Sequence, residues 1–363
     1  LGPIGNRVET MERFRHDAAQ DFRQYPYQHD PEIGWVSRPG RLEHHGLVES
    51  VNSAGMRGPT EFEEEKPDNA IRISVFGDSY TYGADVTDGE PWPAQLGGLL
   101  GPVEVLNFGT AGYGHDQIML NLERNGAVWN PDVVLVGLID VDRDRNMVNF
   151  YNAPKPQFVL KDQSLVLTNV PVPTPEQVLA THDRTLRVVD VFAMLAHQLR
   201  HLGNPHGGKP DAHDVTAALF ERLDDDADAL GVPVFYVHLP NPHRLETSTS
   251  LEMFEEMAAL CTTTKHSCVD TTPAILGAHQ RDEDLTGGMT HFNARGYELI
   301  ATEVMTALTE AGLVGSRVGS EQHQQGGEHQ QVGEERDDHG ESTEQAEEGD
   351  ALHGSQPEDH EPE

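Results

Sequence analysis

Residues 132–139 read DVVLVGLI, a nearly unbroken apolar stretch in a chain of 363 residues. Successive side chains of a strand point to opposite faces, so both faces of this strand are expected to be buried, as in a parallel sheet covered by helices. Four further short runs flank it: IRISVF (71–76), VEVL (103–106), VPVFYVHL (232–239) and SCVD (267–270). Helical stretches separate them, so the sequence predicts an α/β fold with a central five-stranded parallel sheet.

The final helical stretch has the clearest pattern. Its apolar residues recur at spacings of three and four, namely Tyr297, Ile300, Ala301, Val304, Met305 and Leu308. Asn293 is a suitable N-cap for this helix, and Gly312 suits its end. In parallel α/β sheets, ligands bind beyond the carboxyl ends of the strands, so motifs that follow the strands are the first candidates for a functional site.

Three segments fall outside this alternation. Residues 1–70 are polar, with Pro, Gly and several His, and are predicted to form an arm packed on the core domain of residues 71–314. Residues from about 150 to 215 are predicted to be an insertion beside the sheet, with a hairpin at 155–173 followed by a helix. Residues 315–363 carry fifteen acidic residues against two arginines and almost no large apolar residue, which predicts a disordered acidic tail.

The charge balance excludes some classes of partner. Lys and Arg total 25 against 61 Asp and Glu, so the formal net charge is −36. A nucleic-acid-binding surface needs clustered cations to neutralise phosphates, so no nucleic-acid partner is expected. No run of 18 or more apolar residues is present, so no transmembrane segment is predicted. The compartment is left open, because an upstream targeting segment can precede Leu1.

The two cysteines, Cys261 and Cys268, are too few for a disulfide-rich scaffold or a Cys-based zinc site. They can pair if a helix end and the fifth strand meet, but buried free thiols are the expected state.

The His residues of the acidic tail lack tight ligand spacing, so the sequence predicts no metal site and no cofactor.

The first strand runs into GDSYTYG, residues 77–83, which places Ser79 where a strand turns into a helix. A serine hydroxyl becomes a nucleophile only when a base removes its proton. A strand-to-helix turn exposes Oγ and directs backbone N–H groups at developing negative charge. The simpler interpretation is that Ser79 caps the helix, and a GDS tripeptide by itself favours that interpretation.

Two further motifs follow later strands. Residues 107–114 read NFGTAGYG, and repeated glycine lets a backbone N–H approach an oxyanion, although an ordinary glycine-rich turn has the same pattern. His291, in GGMTHFNARG, lies between the fifth strand and the last helix, at the same edge of the sheet. It can act there as the general base for Ser79. With 20 His in the chain, His115 and His238 are competing candidates.

Together, and in this order, the three motifs resemble those of the SGNH/GDSL hydrolase family. The resemblance covers roughly residues 71–310, and its serine and histidine blocks are the most specific parts. The upstream stretch is similar to one bacterial branch of the family, through Gly34-Trp35 with Pro39 and through NSAGMRG at 52–58. The resemblance implies a flavodoxin-like three-layer α/β/α sandwich.

The resemblance also implies roles for individual residues. It implies Ser79 as nucleophile, His291 as general base, and an oxyanion hole formed by the N–H groups of Ser79 and Gly112. Such a site implies a serine esterase that works through an acyl-enzyme on small-molecule or carbohydrate esters. The alternatives are a catalytically weakened binding module and an O-acyltransferase acting on polysaccharide. A metal-dependent hydrolase is the least supported interpretation.

One departure from the family pattern concerns the oxyanion hole. The third block of the family ends in Gly-x-Asn-Asp, and its Asn completes the hole. Aligning Asp142 with that Asp places Val141 at the Asn position, and a valine side chain donates no hydrogen bond. The loss of one such donor can cost about 10²–10³ in rate. Arg145 and Asn146 are candidate substitutes, whereas Asp140 and Asp142 can instead cap the following segment.

A second departure concerns the carboxylate that orients the histidine. The family places it three residues before the His, where this chain has Gly288. Asp284 and Asp282 are the nearest acids, and Asp284 is the predicted acid if the glycine loop folds back towards Nδ1 of His291. Otherwise a backbone carbonyl orients the ring, and the site is a Ser–His dyad.

Overall fold

The computed structural model describes residues 27–151, 153–182, 212–245 and 254–315, the last range without 256, 260, 263, 264 and 289. The chain divides into two compact units, Leu1–Arg317 and Val318–Glu363, and the second lies wholly outside the described residues. Outside them also lie the first part of the predicted arm, nearly all of the predicted acidic tail, and most of the predicted insertion after its hairpin.

Strands and helices alternate through the central part of the chain. The strands are β1 (Tyr27–Asp30), β2 (Gly34–Ser37), β3 (Gly40–His44), β4 (Leu47–Val51), β5 (Ile71–Phe76), β6 (Val103–Asn107), β7 (Val133–Leu138), β8 (Gln157–Lys161), β9 (Ser164–Thr168), β10 (Val234–His238), β11 (Ser267–Asp270), β12 (Thr286–Gly287) and β13 (His291–Phe292). The helices are α1 (Ser79–Tyr82), α2 (Trp92–Leu100), α3 (His115–Asn125), α4 (Asp142–Asn146), α5 (Pro175–His182), α6 (Ala212–Leu230), α7 (Thr272–His279) and α8 (Ala294–Glu310).

The central sheet has five strands in the order β6-β5-β7-β10-β11, and its neighbouring strands pair in parallel. All six residues of β7, the middle strand, are buried. The predicted five-stranded parallel sheet is therefore confirmed. Because every strand runs the same way, the segments that follow the strands meet at one edge, where the motifs after β5 and β6 and the His291 block beyond β11 lie.

The sheet separates two apolar clusters. Val134 and Val136 of β7 pack with residues of α3 and α6 on one face, whereas Val133 and Leu135 pack with residues of α2, α7 and α8 on the other. Alternate side chains of one strand thus enter different layers, as its period of two requires. This arrangement is the three-layer α/β/α sandwich that the resemblance implies.

The described part of the arm forms two antiparallel hairpins, β1 with β2 and β3 with β4. Ile33, Trp35 and Met56 are fully buried and belong to the same apolar cluster as Phe76 of the central sheet. Within the insertion, the stretch predicted as a hairpin forms the antiparallel pair β8 and β9.

Cys261 and Cys268 form a disulfide, with their Cα atoms 6.0 Å apart. The expectation of free thiols is therefore wrong, because the chain before β11 brings the two residues together. Among the described helices, none combines the length and the apolar character that crossing a bilayer demands.

Candidate active site

The candidate nucleophile lies on the turn after β5. Asp78 caps α1, because its Oδ1 accepts a hydrogen bond from the N–H of Tyr80 at 2.9 Å. Ser79 is the first residue of the helix, so the interpretation of Ser79 as the cap is wrong. A Cβ at Gly77 would lie 2.6 Å from the Cβ of Thr81, so this tight turn requires glycine. The turn holds Ser79, which is 4 % exposed, at the carboxyl edge of the sheet.

His291 reaches this serine from the distant end of the domain. It lies on β13, and its Nε2 is 2.9 Å from Ser79 Oγ. The Tyr80 hydroxyl donates to the Thr290 carbonyl at 2.6 Å, and the Tyr80 ring centre lies 5.0 Å from that of the imidazole. The structure thus brings together two sequence-predicted site residues that are 212 positions apart.

A third side chain extends this set of contacts, and sequence reasoning missed it. Asp85 Oδ2 lies 2.9 Å from Nδ1 of His291. Asp85 belongs to the loop between α1 and α2 and has a φ of +66°, a left-handed conformation that Asp tolerates better than most residues. Further along this loop, Asp88 accepts a hydrogen bond from the N–H of Ser50 at 2.9 Å and pairs with Arg57. The loop that carries Asp85 is therefore anchored to the arm.

The structure does not place Asp284 beside His291. Asp284 is exposed, and its Oδ1 accepts hydrogen bonds from the N–H and the hydroxyl of Thr286, at 3.2 and 3.3 Å. Asp85 can approach His291 because the residue three positions before the histidine, Gly288, has no side chain. A Cβ at Gly288 would lie 2.5 Å from Asp85 Oδ2 and 2.7 Å from its Cγ. The carboxylate of Asp85 thus fills the space that a side chain at position 288 would need.

These contacts fix the tautomer of the histidine when Asp85 is ionised. A carboxylate only accepts hydrogen bonds, so the proton of the neutral imidazole is on Nδ1, facing Asp85. Nε2 then carries a lone pair and accepts the hydrogen bond of the Ser79 hydroxyl. This is the arrangement that a general base requires before it removes a proton from serine.

The glycine-rich loop after β6 lies against the turn that carries Ser79. The N–H of Thr110 donates to the Gly77 carbonyl at 3.0 Å, and a Cβ at Gly109 would lie 2.7 Å from the carbonyl carbon of Thr81. Gly112 has a φ of +85°, where a residue with a side chain is strained. The close approach of this loop brings backbone N–H groups to the edge of the sheet that carries Ser79.

Arg145, one proposed substitute for the absent oxyanion Asn, directs its Nη1 to interior acceptors. Nη1 donates to Asp142 Oδ1 at 2.6 Å, to the Tyr113 carbonyl at 2.7 Å and to Asp78 Oδ2 at 3.1 Å. Asp142 thus pairs with Arg145, and the N-cap of α4 has no side-chain cap bond. Burial, together with the charge of Asp78, raises the pKa of Asp142 well above its usual range.

Asn146, the other proposed substitute, is also committed to interior partners. Its Nδ2 lies 3.1 Å from His115 Nδ1 and donates to Thr216 Oγ1 at 3.0 Å. Burial lowers the pKa of the His115 imidazole to about 3, which makes it a poor base near neutral pH. His238, the other competing histidine, directs its Nδ1 to Asp270 at 3.3 Å.

The part of the chain that the structure describes contains no group of three or more His, Cys, Asp or Glu residues placed to hold a metal ion.

Solved structures with similar folds include three bacterial proteins. A member of the lipolytic G-D-S-L family from Veillonella parvula is 17% identical with a TM-score of 0.43, over 66% of this chain and 99% of that chain. A lipase/acylhydrolase from Enterococcus faecalis is 15% identical with a TM-score of 0.40, over 68% and 98%. A catalytic mutant of the acetylxylan esterase Axe2 from Geobacillus stearothermophilus is 15% identical with a TM-score of 0.42, over 70% and 100%.

A comparison with curated proteins finds no significant match. At the level of families, residues 75–299 match the GDSL-like lipase/acylhydrolase family. This match runs from β5, the strand before Ser79, through the histidine block and covers more than half of the chain. The protein therefore belongs to the GDSL-like lipase/acylhydrolase family, whose members are hydrolases that act on esters.

Proposed function

We propose that this protein is a serine esterase in which Ser79 is the nucleophile, His291 the general base and Asp85 the residue that orients the base. The observation that carries the proposal is the pair of 2.9 Å contacts from the two nitrogens of His291, one to Ser79 Oγ and one to Asp85 Oδ2. A nucleophile, a base and an orienting acid in contact form the constellation that acyl transfer requires.

In the first half-reaction, Ser79 Oγ attacks the ester carbonyl carbon while its proton moves to Nε2 of His291. The tetrahedral intermediate carries its negative charge on the former carbonyl oxygen. Collapse of this intermediate breaks the bond to the alcohol oxygen, which takes the proton back from Nε2 and leaves. The acyl group is then esterified to Ser79.

In the second half-reaction, water takes the place of the alcohol. His291 accepts a proton from the water as it attacks the acyl-enzyme, and returns it to Ser79 Oγ when the acid is released. The carboxylate of Asp85 stabilises the imidazolium that forms once in each half-reaction.

The backbone N–H groups of Ser79 and Gly112 are proposed to bind the oxyanion. Val141 supplies no third donor, and Arg145 Nη1 and Asn146 Nδ2 already have interior partners. A hole with two donors is expected to work more slowly than one with three, by about 10²–10³ for a single missing donor. Activated short-chain esters, which need less stabilisation, are therefore the best first substrates. Acetyl or short acyl esters of carbohydrates are the proposed natural class.

The direct test combines turnover with covalent labelling. We expect the protein to hydrolyse p-nitrophenyl acetate or butyrate, and a fluorophosphonate to modify one serine and abolish turnover in proportion to labelling. Peptide mass spectrometry should locate the adduct on Ser79. An adduct on another residue contradicts the assignment of the nucleophile. If the protein shows no labelling and no hydrolysis, the result favours the non-catalytic binding module.

A matched pair of carboxylate variants separates the two candidate acids. Asp284→Asn is expected to keep kcat within about twofold of wild type, because exposed substitutions away from a site have small effects. Asp85→Asn is expected to lose most activity. Equal losses in the two variants, measured with the same ester, would contradict the role of Asp85.

A further inference from the structure

A buried indole of the arm contacts the glycine-rich loop after β6. Trp35 of β2 is 1 % exposed, and its Nε1–H donates to the carbonyl oxygen of Ala111 at 3.1 Å. The two residues are 76 positions apart in sequence. The carbonyl that the indole contacts belongs to the peptide unit that Ala111 shares with Gly112.

We infer that Trp35 is a positioning residue for the oxyanion hole, acting through the Ala111–Gly112 peptide. The inference rests on the proposed function, in which the N–H of Gly112 binds the oxyanion. A peptide unit is planar, and in its trans form the C=O and the N–H point in opposite directions. The cis bond found in the described residues is Val170-Pro171, so the Ala111–Gly112 unit is trans. Fixing the carbonyl on the side of the arm therefore directs the N–H away from the arm.

The surrounding contacts place the nucleophile turn near this loop. The N–H of Thr110, two residues before Gly112, donates to the Gly77 carbonyl at 3.0 Å. On the other side of Gly112, the Tyr113 carbonyl accepts from Arg145, whose same Nη1 contacts Asp78 Oδ2 at 3.1 Å. The segment on each side of Gly112 is thus tied to the turn that carries Ser79.

Gly112 itself supplies little resistance to rotation. Its φ of +85° lies in a region that glycine enters and leaves freely, so the orientation of its N–H must be fixed by neighbouring contacts. A hydrogen bond to the carbonyl also polarises the peptide and strengthens its N–H as a donor. The indole of Trp35 provides both the restraint and the polarisation from a single contact.

A comparison of two tryptophan variants tests this inference. Trp35→Phe removes the indole N–H and keeps an aromatic ring in the core. We expect kcat to fall about tenfold, less than for outright removal of a donor, while KM for a neutral ester stays within about twofold. The rate of fluorophosphonate labelling should fall in parallel, because phosphonylation also places a developing oxyanion in the hole.

Trp92→Phe is the matched control. Trp92 is fully buried in the cluster on the other face of the sheet, and its Nε1 has no hydrogen-bond partner among the residues that the structure describes. It should lose comparable stability but keep kcat within about twofold, so thermal melting of both variants separates folding from function. The pH dependence of kcat should be unchanged in Trp35→Phe, because the contacts of His291 remain.

Three results would overturn the inference: an unchanged kcat in Trp35→Phe, an equal loss of kcat in both tryptophan variants, or a loss confined to KM. Failure of the proposed function is distinguishable, because the wild-type protein would then neither hydrolyse the ester nor take the label at Ser79.

Discussion

Ester hydrolysis by the Ser79→Ala variant is expected to fall by about 10⁵-fold or more, leaving only the residual rate that substrate binding and the oxyanion hole supply. Alanine has no oxygen to attack the carbonyl, so no acyl-enzyme forms, and His291 has no hydroxyl to deprotonate. Fluorophosphonate labelling should disappear with turnover. The comparison is of kcat/KM for a short p-nitrophenyl ester, with thermal melting to show that the variant is folded.

Ser74→Ala is the control for this substitution. Ser74 lies on β5 and is fully buried, and within the described part of the chain its hydroxyl has no hydrogen-bond partner. Removing that hydroxyl should leave kcat within about twofold of wild type. Hydrolysis that persists near the wild-type rate in Ser79→Ala would exclude Ser79 as the nucleophile.

The Asp85→Asn variant is expected to lose about 10³–10⁴ in kcat while KM changes little. Asparagine is nearly isosteric, so the contact with Nδ1 of His291 can persist. Its uncharged amide no longer stabilises the imidazolium, and an amide donor facing Nδ1 would favour the tautomer with its proton on Nε2. In that tautomer the histidine cannot accept the proton of Ser79.

A relocated carboxylate sharpens the second prediction. In an Asp85→Gly background, Gly288→Asp should raise kcat at least about tenfold above that of Asp85→Gly alone. The new carboxylate can enter the space that Asp85 vacates. Gly288 has a φ of +52°, which Asp tolerates better than most residues. Added to the wild-type chain, the same Gly288→Asp change should lower kcat, since a Cβ there would lie 2.5 Å from Asp85 Oδ2.

Two results would contradict the role of Asp85 or of the relocated carboxylate. A wild-type kcat in Asp85→Asn would favour the Ser–His dyad. The absence of any recovery in the folded double variant would show that a carboxylate at position 288 does not reach His291.

Local patterns determined much of the architecture. The apolar run that forms β7 predicted a strand buried on both faces, because a central strand of a covered parallel sheet has no polar side. The periodicity of α8 and its cap at Asn293 were likewise predictable, since capping is a contact between near neighbours. The motifs after the strand ends also predicted Ser79 and His291 as site residues, because the loops that follow parallel strands lie at one edge of the sheet.

Tertiary structure decided which acid meets the histidine. Asp284 lies seven residues before His291, yet its carboxylate turns back to Thr286, whereas Asp85 reaches the imidazole across 206 positions. The sequence signals this exchange only through the missing side chain at Gly288. Tertiary structure also decided the disulfide between Cys261 and Cys268 and the contact between Trp35 and Ala111. Strand and helix patterns follow from each residue's near neighbours, but the contacts of Asp85 with His291 and of Trp35 with Ala111 depend on how segments distant in sequence meet at the edge of the sheet.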